Sequence, residues 1–167
     1  MWSIMRTLGP GKQFAFGRTL RGIRYDASRM FVLGVYDGSP FSGTDKLAMN
    51  VQPSAELFIK ALNNRSDYAG WTVLFEGDRL FNPKFLRLAL DIDPHAVLVL
   101  LTVDESTLSA RHVDRNDKQS ESWLRGRKTK YRQIQKAFPE ITVHTNRDPA
   151  DAARLMRWIE EARTHDR

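Results

Sequence analysis

The chain has 167 residues, 41% hydrophobic and 28% charged, and carries a formal charge of +6. That composition builds a hydrophobic core in a single domain over 1–167 and excludes a disordered segment. It has no cysteine, so disulfides, cysteine-ligated zinc and a cysteine nucleophile are excluded, and no apolar run approaches the ~20 residues that span a bilayer. The N-terminus lacks the pattern of a secretory signal, and the expected location is the cytoplasm.

In chain order, Trp2–Leu8 reads as the last turns of a helix, while 13–17 and 22–25 read as short strands or loop. Phe31–Tyr36 is an apolar strand. Pro53–Asn63 is a helix, with proline suited to its first turn and Glu56 near its positive end. Trp71–Phe75 is a second strand, and Asn82-Pro83 opens a helix with Phe85, Leu86, Leu88 and Ala89 on one side. The run Ala96–Thr102 is almost pure valine and leucine, the pattern of a central strand buried on both faces. Asp104 caps a helix to about Arg115, and another begins near Ser120. Ile141–His144 is a further strand, and Asp148-Pro149 opens the last helix, with Ala152, Leu155, Met156, Ile159 and Ala162 spaced for one face. Alternating strands and helices predict an α/β fold: a three-layer parallel sheet with helices on both faces.

Chemistry concentrates in three places. The first is Glu76-Gly-Asp78-Arg79 after a strand, because ligands in open α/β sheets collect at strand carboxyl ends. A carboxylate there can hold Mg²⁺ or take a proton from a hydroxyl, and Arg79 can grip a phosphate. The second is the loop from Tyr36 to Lys46, where Asp37, Thr44, Asp45 and Lys46 are candidate substrate contacts. The third is 111–136, where nine basic and three acidic residues account for the whole positive excess. Its arginines suit a lid that carries charge to a phosphoryl group, or a face that follows a nucleic-acid backbone. The four histidines lie singly, there is no Gly-x-Ser-x-Gly elbow, and Trp71, Trp123 and Trp158 suit core faces.

Taken together, strand–Glu76-Gly-Asp78-Arg79, helix, strand ending in Val103-Asp104, arginine-bearing helices, and strand–Asn146-Arg-Asp-Pro149–helix resemble a P-loop NTPase of the nucleotide or nucleoside kinase type, including phage-encoded kinases that act on modified DNA bases. The resemblance spans about residues 30–165. It implies ATP-dependent phosphoryl transfer to a hydroxyl of a nucleoside, nucleotide or modified DNA base, with ATP and Mg²⁺ as cofactors. It places Glu76 and Asp78 in the Walker B position, with Asp78 toward the metal. Arg79, Arg111, Arg115, Arg125 and Arg127 neutralise phosphate charge, the last four from a lid. Asp37, Thr44, Asp45 and Lys46 face the acceptor, and Asn146 and Arg147 approach adenine. The phosphate loop Gly-x-x-x-x-Gly-Lys-Ser/Thr is absent: Gly11-Lys12 lacks the upstream glycine, and Gly38 to Gly43 is followed by Thr44, not lysine. The expectation is that the first strand and its phosphate loop lie upstream of Met1. Rival readings are a non-catalytic nucleic-acid-binding α/β domain that uses Arg111–Lys136, and an inactive kinase remnant.

Overall fold

The first strands form by local turns. Gly17 sits at φ +59° between β1 (Lys12–Phe16) and β2 (Leu20–Tyr25), which pair antiparallel with Phe14 opposite Gly22. The Asp26–Arg29 turn, closed by the Arg29 amide on the Asp26 carbonyl, leads to β3 (Met30–Leu33), again antiparallel. Segments joined by so few residues can only fold back on each other, since a parallel pairing needs a long crossover. That longer connection follows β3 and includes a 3₁₀ turn (Thr44–Lys46) and helix α2 (Gln52–Asn63). It returns through the 3₁₀ turn Ser66–Tyr68 to β4 (Thr72–Phe75), which pairs parallel to β3, Leu33 opposite Phe75.

The computed structural model describes residues 1–39, 42–104, 106–108 and 120–165, in two compact units, Met1–Ala96 and Val97–Arg167. In the first, the sheet order is β1-β2-β3-β4. Alternation along β3 divides its side chains between two clusters. Phe31 and Leu33 join Val51, Ala55 and Phe58 of the α2 segment, with Leu80 and with Phe85 of α3 (Pro83–Ile92). Met30 and Val32 join Tyr25 with Met5 and Leu8, from α1 (Trp2–Thr7) and its end.

The second unit has β5 (Val99–Thr102) parallel to β6 (Thr142–Thr145), with α4 (Glu121–Ala137) and α5 (Pro149–His165). Leu98, Leu100, Ile134, Phe138 and Ile141 are its buried apolar residues. Asp104 takes the expected cap role, although most of the helix expected after it, to about Arg115, lies outside the described residues, and α4 and α5 have caps of the same kind. Asp104 accepts from the Thr107 amide at 2.8 Å, Ser120 from Trp123 at 3.3 Å and Asp148 from Asp151 at 2.9 Å.

The three-layer parallel sheet expected from the sequence is therefore not the fold. The chain has a four-stranded mixed sheet and a separate two-stranded parallel one. The physical reason is that alternation of strands with helices predicts parallel pairing only where a helix bridges the strands, and β1 to β3 are linked by turns too short for it. The 96–102 run is likewise not a strand buried on both faces. Among the described residues it has one strand neighbour, and Val97 and Leu101 are 49% and 47% exposed.

Candidate functional site

The parallel register of β3 and β4 ends both strands at the same level, so the chain leaves them side by side. From β3 it continues as Gly34-Val35-Tyr36-Asp37, and from β4 as Glu76-Gly77-Asp78-Arg79. The Thr44–Lys46 turn lies against both. Val35 and Gly43 exchange backbone bonds at 3.0 and 2.8 Å, and the Thr44 amide donates to the Glu76 carbonyl at 3.2 Å.

All seven sequence candidates of this unit meet here, in two distinct kinds of role. Thr44 is fully buried, and its hydroxyl donates to the Glu76 carbonyl at 2.6 Å. Asp45 accepts the Asp78 and Arg79 amides on one oxygen, at 2.7 and 3.1 Å, and its carbonyl accepts from the Arg79 guanidinium at 2.8 Å. These two residues clamp the Glu76–Arg79 turn. The clamp is close enough that a side chain at Gly77, φ +104°, would bring a Cβ to 2.7 Å from the Thr44 hydroxyl, so glycine is required. Lys46 bonds Asp37 at 2.5 Å and the Ser39 hydroxyl at 2.6 Å, closing the loop after β3. The Lys46 bond, with those from Ser39, holds Asp37 well below the ordinary carboxylate range.

Glu76 differs from these. Its half-buried carboxyl is pushed above the usual range, chiefly by burial and in small part by the nearby Asp45 charge, while the Met1 amino group at 3.6 Å opposes the shift. Tyr36 lies in the same field. Burial first, then the negative charges of Glu76 and Asp45, raise its phenol far above the ordinary value, so it stays protonated. Tyr36 also lines an open groove of about 290 Å³ with Met5, Arg6, Gly11, Ile23 and Tyr25. This groove was missed in the sequence. The visible signal was Ile23 and Tyr25 two residues apart on one strand face, but only the packing of α1 makes a wall opposite them.

The remaining candidates belong to the other unit or to undescribed residues. Arg111 and Arg115 lie outside the described residues. Arg125 is exposed on α4. Arg127 lies over the Trp123 ring at 4.7 Å and donates to the Tyr131 hydroxyl at 2.6 Å, so it serves the packing of its own helix. Trp123, expected in a core face, is 42% exposed beneath it. Asn146 donates its amide to the Thr102 carbonyl at 2.8 Å. The Arg147 amide donates to buried Asp151 at 2.8 Å, and this bond holds Asp151 below its ordinary pKa.

The resemblance implies ATP and Mg²⁺ at the carboxyl end of β4. Among the described residues no three acidic or histidine side chains converge on one point, and the Asp45 oxygen nearest the turn already accepts two amides. The chain also lacks the glycine-lysine phosphate loop. The rim carries a half-buried carboxyl of raised pKa, Glu76, within electrostatic reach of Tyr36, which lines the groove. No helix among the described residues is long and apolar enough to cross a membrane. No family model, curated protein or solved structure matches the chain.

Proposed function

We propose that the β3–β4 rim is the acceptor side of phosphoryl transfer from ATP to a hydroxyl of a nucleoside, nucleotide or modified DNA base. The observation that carries this reading is Glu76: a carboxylate of raised pKa at the carboxyl end of β4, next to a groove walled by two tyrosines. A base works best when its pKa approaches the operating pH, and burial moves Glu76 in that direction. The groove, at about 290 Å³, lies at the lower end of small-ligand sites and suits a flat ring against Tyr25 and Tyr36.

In this reading Glu76 accepts the hydroxyl proton as the oxygen attacks. Thr44 and Asp45 hold the turn that aims Glu76, and Asp37 with Lys46 fixes the loop on the other side of the opening. No step is assigned to residues that would hold the donor. The test uses ATP labelled at its terminal phosphate, with Mg²⁺, offered nucleosides, nucleotides and hydroxymethylated DNA in turn. Label should pass to one acceptor class and be lost in Glu76→Gln while the melting profile is kept. Absence of transfer to every class, or full transfer by the variant, refutes the proposal.

A further inference from the structure

The rim described above is built from residues of the first unit, whereas α4 belongs to the second. Arg125, Lys128, Arg132 and Lys136 are all exposed, and their spacing of three, four and four residues sets them in one row along the helix. At 1.5 Å per residue the row is about 16 Å long. The opposite side is pinned inward: Ile134 is fully buried, Leu124 and Tyr131 are half-buried, and Phe138 at the helix end is 3% exposed. The row therefore faces outward as a consequence of how the helix is packed. Glu121, four residues before Arg125, is the single acid in the sequence of α4, against six basic residues.

We propose that this face binds the phosphodiester backbone of nucleic acid. A straight line of four cations matches a polyanion with regularly repeated charge, and a duplex carries one charge per ~1.7 Å of its axis. The neighbouring exposed positions argue against other polyanions. Thr129 and Gln133 lie beside the row, and no apolar side chain stands among them. A helix that lies on an anionic membrane needs an apolar flank to insert, and a protein partner needs buried aromatic or aliphatic anchors. A phosphate backbone needs neither.

The test measures affinity of the full chain for a short fluorescent DNA duplex across a salt series. Each phosphate contact contributes about 0.9 to the slope of log affinity against log salt. Arg125→Gln with Arg132→Gln should lower that slope by about 2 and weaken binding at every salt concentration. Arg18→Gln with Lys60→Gln, which removes the same charge from exposed positions of the first unit, should leave the slope unchanged. Glu76→Gln should also leave it unchanged, which keeps this proposal separate from the acceptor reading. Glutamine is close to arginine in helix propensity, and circular dichroism checks that α4 persists. Equal slopes for the two double variants, no duplex binding at low salt, or tighter binding to phosphatidylserine vesicles than to duplex overturns the proposal.

Discussion

Glu76 makes the acceptor reading sensitive to pH. Its pKa is raised on folding, so the native state holds that proton more tightly than the unfolded chain. Its contribution to stability therefore falls as pH rises from the ordinary glutamate value through the raised one. Glu76→Gln should flatten that limb of the stability curve, as read by urea titrations over a pH series. In the active protein the transfer rate should rise with pH over the same interval, and the variant should lose about 10²–10⁴-fold in rate. Asp37 works in the opposite sense. Its pKa is lowered by Lys46, so the stability it contributes is present above the ordinary aspartate value and lost as pH falls through the lowered one. Asp37→Asn should remove that acid-side loss. Gly77→Ala, which sets a Cβ against the Thr44 hydroxyl at a left-handed φ, should cost about 1–3 kcal/mol in chemical denaturation. That these residues belong together was legible, because a carboxylate after an apolar strand sits at a sheet edge. Their division of labour was not. Thr44 and Asp45 act on the backbone of residues more than 30 positions away, and no local pattern encodes such a bond.

At the level of elements, helix starts were legible because they are set by one or two side chains. Asn82 is an example: its side chain accepts the Phe85 amide at 3.1 Å and donates to Gln52 of α2 at the same distance. Asn82→Ala should cost about 1 kcal/mol, measured as a shift in the unfolding midpoint. Strand partners were less legible than strands. Phe14, Phe16 and Phe31 all meet Phe58 of α2, with ring centroids 5.2–5.3 Å apart, and this packing seats the β1–β2 hairpin over α2. Loop or strand was an open choice for 13–17 because its apolar run, Phe14-Ala15-Phe16, is short and lacks a clean period-2 alternation. Phe58→Ala should remove about 3–5 kcal/mol, visible in thermal unfolding.

Over the whole molecule, the sequence was read as one parallel sheet, and the chain instead has a mixed sheet and a parallel pair in separate units. Apolar patterning reports that a segment is buried. It does not report which strand lies beside it, and the direction of pairing follows from connection length instead. Among the described residues, the members of these two hydrophobic clusters around the mixed sheet all lie within Met1–Ala96. A fragment ending at Ala96 should thus unfold cooperatively in urea by circular dichroism, and a gradual, non-sigmoidal loss of signal would contradict this. The Thr44–Asp45 clamp has a consequence at this scale too. Because one short turn grips the peptide groups from Glu76 to Arg79, and its next residue, Lys46, ties down the loop after β3, the two banks of the opening are mechanically geared. If the proposed function holds, a molecule that draws Lys46 away from Asp37 should also shift the turn that carries Glu76, so that filling one bank changes the pH dependence of transfer at the other.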